Sequence, residues 1–119
     1  MNADELQALR HILALTIDEC ANWVACDGDI KAWQSWEEGR QTIPDVIIEK
    51  MLAIRQKRIM HINAIIQKIN HRIGNNTMRV FRDLETFRSV YSQGEFLDWK
   101  IYQSVAAELY SHDLERLSS

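Results

Sequence analysis

Residues 45–73, DVIIEKMLAIRQKRIMHINAIIQKINHRI, set the strongest constraint on how this chain can fold. One line through them reads Ile48, Leu52, Arg55, Ile59, Ile62, Ile66, Ile69 and Ile73, spaced alternately by four and three residues. That alternation keeps side chains on one stripe of an α-helix, and its mean of about 3.5 is the repeat of a coiled-coil seam. Arg55 is the one polar member. Ile47, Met51, Ile54 and Ile65 widen the stripe, so the spacing predicts burial from more than one direction. A helix over all 29 residues is about 44 Å long, more than a small domain needs. The rest of the chain must lie along this rod, or a second copy must. Pro44 suits its first turn, and Gly74 with Asn75 and Asn76 marks its stop.

Ahead of the rod lie three shorter helical patterns. Asn2 and Glu5 form a capping box for the first, where Leu6, Leu9, Ile12 and Leu13 make an apolar stripe. Thr16 and Glu19 form a second box, starting a helix through about Ala25 with Cys20, Ala21 and Val24 inward. Asp27-Gly-Asp29 breaks the pattern, Asp29 caps a third helix from Ile30 to Glu37, and Gly39 supplies the permissive backbone that ends it. Beyond the rod, Thr77–Arg82 reads as a strand, Asp83 caps a short helix to about Tyr91, and Gly94 marks a turn. A last helix is expected over about 98–114, its apolar face carrying Trp99, Tyr102, Val105, Ala106, Leu109 and Tyr110.

Chemistry is sparse. Cys20 and Cys26 lack the pair spacing of a zinc site, and His61 and His71 are about 15 Å apart along one helix, too far to share a metal. No phosphate-binding loop, dinucleotide fingerprint or nucleophile-base-acid set stands out. The expectation is therefore no enzyme, no cofactor and no metal. There is no run of apolar residues long enough for a membrane span, and the N-terminus lacks the basic start and apolar core of a signal peptide. A cytoplasmic protein with free thiols is expected. Residues 1–60 carry seven Lys or Arg against ten Asp or Glu, and residues 61–119 carry seven of each. Neither half has the broad positive charge of a non-specific nucleic-acid binder.

Two short capped helices joined by a tight break suggest a helix-turn-helix, in which the second helix presents one face to the DNA major groove. Trp33 and Trp36, three residues apart with Ile30 extending their line, share one helix face, and their size and apolarity suit the core. The other face offers Lys31, Gln34 and Ser35, whose side chains match base edges. Arg40, Gln41 and Thr42 follow the helix, where phosphate contacts are common, and Thr16 opens the preceding helix with N–H groups that suit a phosphate. Glu37 is expected to turn inward, toward backbone N–H groups, Arg10 or Arg40. Lys57 and Arg58 read as a solvated helix face, with a phosphate or RNA contact as the alternative. From the residues alone two classes stay open, a DNA reader and a non-catalytic protein-interaction or RNA-binding module on the same scaffold.

A resemblance narrows this. Thr16-Ile-Asp-Glu-Cys-Ala21 resembles the start of the second helix in the lambda-repressor-like (XRE or Cro/C1-type) family, and Trp36-Glu-Glu-Gly39 resembles the end of its recognition helix. Over nearly the whole chain, ELQALRHILALTIDECA, WQSWEEGRQTIPD and DWKIYQSVAAELY resemble the YdiL-like family of small bacterial proteins, related to phage repressors encoded beside anti-CRISPR genes. The turn VACDGD is longer and more acidic than the family's usual one. The resemblance implies a mainly α fold with an N-terminal helix-turn-helix bundle, a long central helix and a small α+β C-terminal part. It implies a DNA-binding domain over 1–58 and a dimerisation region over 59–119. It also implies a homodimeric transcriptional repressor that reads an inverted repeat in double-stranded DNA through helix 30–37, with RNA as a further candidate partner. Lys31 and Gln34 fall at base-reading positions, and Ala21, Trp33, Trp36, Glu37 and Gly39 at structural ones. Trp99, Tyr102 and Val105 fall in the part that dimerises.

Overall fold

Caps decide where the first three helices begin. In the computed structural model, which describes residues 1–71 and 76–119, they are α1 (Ala3–Ile12), α2 (Ile17–Trp23) and α3 (Ile30–Glu37). Asn2, Thr16 and Asp29 each accept the backbone N–H three residues on, at 2.8, 3.0 and 3.0 Å. Glu5 and Glu19 complete the first two boxes by accepting the cap N–H at 2.9 and 3.0 Å. Each box satisfies two donors that a helix start otherwise leaves unpaired. Positive φ ends the segments: Ala14 (57°) follows α1, and Gly39 (75°) follows α3.

The three helices form a bundle in which α3 packs on both α1 and α2. Leu6, Leu9, Leu13, Leu15, Cys20, Ala21, Val24, Trp33 and Trp36 are its buried apolar side chains. Ile12, expected in the α1 stripe, is instead 49% exposed. Leu6, Leu9 and Leu13 already complete a stripe spaced by three and four, and Ile12 sits beside it.

The central helix α4 (Asp45–Asn70) runs for 26 residues. Pro44 stands at its cap rather than in its first turn, its carbonyl accepting the N–H groups of Ile47 and Ile48. Ile73, Gly74 and Asn75 lie outside the described residues. The heptad line is not the buried line in the first half of α4. Leu52 and Ile59 are 36% and 40% exposed, whereas the flanking Ile47 and Met51 are buried, followed by Arg58 and Ile62. Both lines obey helical spacing, and tertiary packing selects between them. Contacts divide the chain into two units, Met1–Gln56 and Lys57–Ser119, with the division inside α4.

In the second unit a two-stranded parallel sheet joins β1 (Thr77–Arg79) to β2 (Arg116–Ser118), pairing Met78 with Leu117. Between them lie α5 (Leu84–Val90), capped by Asp83, and α6 (Phe96–Ser111). The expected strand is shorter than 77–82 because β2 gives it only three partners. The Val80 N–H makes one last bond to β2, at the Ser118 carbonyl (2.7 Å), and α6 side chains take the carbonyls on either side of it. Trp99 Nε1 and Gln103 Nε2 donate to the Phe81 carbonyl at 3.0 and 2.9 Å, and the Tyr102 hydroxyl donates to the Arg79 carbonyl at 2.6 Å. Phe81, Phe87, Tyr91 and Tyr102 cluster with ring centroids 4.9–6.1 Å apart. The last helix ends before residue 114, and Asp113 (φ 57°) turns the chain into β2, a strand the sequence did not announce. Tyr110, expected on the apolar face of α6, is 56% exposed.

Arg58 is neither solvated nor available to a phosphate. It is 8% exposed and donates to Ser104 Oγ (3.0 Å), the Ser104 carbonyl (3.3 Å) and Glu108 Oε1 (2.8 Å). Lys57 pairs with Asp98. Among the described residues no helix is long and apolar enough to cross a membrane.

Candidate nucleic-acid interface

The eight residues of α3 divide between two faces. Inward, Trp33 is fully buried and Trp36 nearly so, their rings 5.4 Å apart and tilted by 58°. Glu37 closes this face. Its Oε2 accepts Arg10 Nε at 2.7 Å and Trp33 Nε1 at 2.5 Å, and its Oε1 accepts Arg10 Nη2 at 2.9 Å. Arg10 also donates from Nη1 to the Leu15 carbonyl at 3.1 Å. The guanidinium therefore clamps the last turn of α3 to the end of α1 through a fork of two charged hydrogen bonds, with both side chains almost wholly buried. Of the partners foreseen for Glu37, Arg10 is the one used, because Arg40 pairs with Glu38 at the surface, 2.7 Å away. The Glu37 hydrogen bond raises the Arg10 pKa above its ordinary value against the opposing effect of burial. Burial pushes the Cys20 thiol up to about 12, which makes it a neutral core side chain.

Outward, Asp29, Lys31, Ala32, Gln34, Ser35, Arg40 and Gln41 line one depression. Lys31, Arg40 and Gln41 are exposed and Gln34 is half-buried. Ser35 departs from the sequence expectation. It lies at the floor, 7% exposed, with Oγ 2.6 Å from the Ala32 carbonyl and 2.9 Å from the Gln41 side-chain amide. A hydroxyl has one proton, and here it is shared between two acceptors inside the protein, the Ala32 carbonyl and Gln41 Oε1. Ser35 is thus a brace between α3 and the segment after it, set at the floor of the depression. Thr16 and Thr42 are exposed but do not line the depression. The Thr16 N–H and hydroxyl oxygen are both engaged in the α2 capping box, which leaves the hydroxyl proton to donate.

The acidic turn folds on itself. Gly28 has φ 69°, and Asp27 Oδ1 accepts the Asp29 N–H at 2.9 Å. Ala21 is fully buried under α3. The residues expected at a dimer contact are placed otherwise. Tyr102 (8% exposed) and Val105 (fully buried) belong to the core of their own unit, and Trp99 is half-buried with its indole N–H on Phe81. Tyr102 also lines two surface depressions, one with Phe87 and Tyr91 and one with Met78 and Arg79. Among the described residues no cluster of three His, Cys, Asp or Glu side chains is placed to hold a metal ion.

A family model described as Aca2/YdiL-like matches residues 1–118. The chain belongs to the Aca2/YdiL-like family. It is 66% identical over 117 residues to the uncharacterised protein YdiL of Escherichia coli (strain K12), covering 98% of this chain and 99% of that one. It is 30% identical over 112 residues to the Aca2 repressor of Pectobacterium phage ZF40, covering 93% and 94% of the two chains.

Proposed function

We propose that this chain is a DNA-binding transcriptional repressor that acts as a homodimer on an inverted repeat. In this reading α2 and α3 form a helix-turn-helix, α3 enters the major groove, and Lys31 and Gln34 read base edges. A lysine ammonium suits guanine O6 and N7, and a glutamine amide suits adenine N6 and N7. Arg40, Gln41, Thr42 and Thr16 approach phosphates. The observation that carries the reading is the outward depression, which gathers Lys31, Gln34, Arg40 and Gln41 on the side of α3 opposite the buried tryptophans. Similarity along nearly the full chain to a phage repressor supports it. The Arg40–Glu38 pair is exposed and worth about 0–1 kcal/mol, so a phosphate competes readily for Arg40. Two copies are needed because one such unit reads only a few base pairs. In this reading the dimer contact lies within 59–119, with the half-buried Trp99 and the rim of Tyr102 as its nearest candidates and Val105 as support beneath them.

A gel shift on the DNA upstream of the gene tests the reading. Gln34→Ala should cost about 1–3 kcal/mol and relax preference at one position of each half-site. Arg40→Ala should weaken all sequences alike and reduce the salt slope by about 1. Binding to neither that region nor genomic fragments in a salt-sensitive, sequence-dependent way would reject the proposal, and sedimentation as a monomer at the binding concentration would reject its dimeric part.

A further inference from the structure

The acid nearest the proposed readers is Asp29. It lines the same depression as Lys31, Gln34 and Arg40. Its Oδ1 accepts the Ala32 N–H at 3.0 Å, its N–H donates to Asp27 Oδ1 at 2.9 Å, and its carbonyl accepts the Trp33 N–H at 3.3 Å. Those bonds fix the backbone and one carboxylate oxygen. Oδ2 takes no hydrogen bond from the described residues, and the residue is exposed. The first turn of α3 thus holds a rigid, solvent-facing acceptor beside a lysine and a glutamine.

We infer that Asp29 is a specificity-determining residue, its Oδ2 accepting the N4 amino group of one cytosine in each half-site. This rests on the DNA-reading function proposed above. The N-terminal residues of a recognition helix are the ones that meet base edges. A carboxylate only accepts hydrogen bonds. Guanine offers N7 and O6, both acceptors, and thymine offers O4 and a methyl group, so both repel or ignore it. Adenine has a donor at N6 but an acceptor at N7 beside it. Cytosine shows the N4 donor with no acceptor on its own major-groove edge. The negative charge that weakens contact with phosphates therefore selects one base.

A role as helix cap alone is the competing account, and two substitutions separate the two. Asparagine and serine cap helices about as well as aspartate, so both variants keep the fold. Asparagine, however, keeps the cap through Oδ1 and presents the Nδ2 donor where aspartate presents Oδ2, which suits guanine N7 and O6. Wild type, Asp29→Asn and Asp29→Ser are each used to select from a randomised DNA duplex library, the bound sequences are read, and each protein is melted as a folding control. The expected result is one cytosine position per half-site for wild type. It moves to guanine with Asp29→Asn by about ten-fold in relative affinity and loses its preference with Asp29→Ser, every other position unchanged. If Asp29→Asn melts differently from wild type, loss of the cytosine preference in Asp29→Ser carries the test. Unchanged base preferences with a uniform gain in affinity would overturn the inference and leave the DNA-reading function standing. Failure of wild type itself to select any sequence would overturn both.

Discussion

Glu37→Ala is the most informative single change in the N-terminal unit. The carboxylate is 4% exposed and receives three hydrogen bonds, two from Arg10 and one from Trp33. Removing it leaves a guanidinium that is itself only 11% exposed, with the Leu15 carbonyl as its remaining oxygen partner, and strips the buried indole N–H of its acceptor. Breaking one side of a buried ion pair costs about 3–5 kcal/mol, and an orphaned donor about 1–3 kcal/mol. The two effects overlap, so the expected loss is about 4 kcal/mol, a large part of the roughly 5–15 kcal/mol that holds a domain together. Urea unfolding followed by tryptophan fluorescence reads this directly, since Trp33 and Trp36 lie against the site and urea leaves charge pairs unscreened. At a slope of about 2 kcal/mol per molar, the midpoint should fall by about 2 M. The companion variant Arg10→Met with Glu37→Leu removes both charges and should recover at least about 2 kcal/mol of the loss, because no buried charge is then left alone. A loss under about 1 kcal/mol for Glu37→Ala, or a double variant no more stable than the single, would refute the account of Glu37 as the clamp on α3.

Alkaline pH should weaken each unit through a different group. The Cys20 thiol ionises near 9.0 when unfolded but is pushed up to about 12 when folded. Its contribution is therefore complete below about pH 9 and is lost toward about pH 12, at about 1.4 kcal/mol per pH unit. Tyr102, raised from 10.0 to about 12 by burial first of all, acts likewise in the C-terminal unit from about pH 10 upward. Thermal melts from pH 8 to 11 (roughly the accessible range on these values) should show Cys20→Ala flattening the loss that begins first, and a wild-type-like slope in that variant would count against it. Gly94→Ala should cost about 1–3 kcal/mol. A Cβ there would overlap the ring of buried Phe87 and stand 3.0 Å from the Tyr91 carbonyl, so an unchanged melting temperature would show that this aromatic cluster yields more easily than its packing implies.

The parts of the fold that could be read from sequence are those decided within a few residues. Asn2, Thr16, Asp29 and Asp83 act on N–H groups three positions away, so each helix start is written beside itself. The burial of Trp33 and Trp36 was legible from their spacing and size. What escaped depends on distant partners. β2 exists because Arg116–Ser118 meets a strand 39 residues and two helices earlier in the chain, and nothing in its own composition marks it. Arg58 looked like surface because basic pairs on helices usually are, yet Ser104 and Glu108 draw it inside. The isoleucine line of α4 fixed a period but not a side, and Ile47 and Met51 took the core in place of Leu52. At the candidate interface, Ser35 sits beside Gln34 in sequence and yet is buried and bonded to Gln41, a residue beyond the helix end. Tyr102 and Val105 belonged to a recognisable apolar face, but the covering layer proved to be their own chain.

The division of α3 into a held face and an open face bears on how such a protein can change over generations. Trp33, Trp36 and Glu37 secure the helix without using Lys31 or Gln34. Exposed positions away from caps and cores usually tolerate substitution within about 0.5 kcal/mol. A lineage can therefore exchange the outward side chains, and with them the surface offered to a target, while the fold registers almost nothing. On the DNA-reading function proposed above, drift at positions 31 and 34 would retarget the protein, whereas drift at 33, 36 or 37 would unseat the helix.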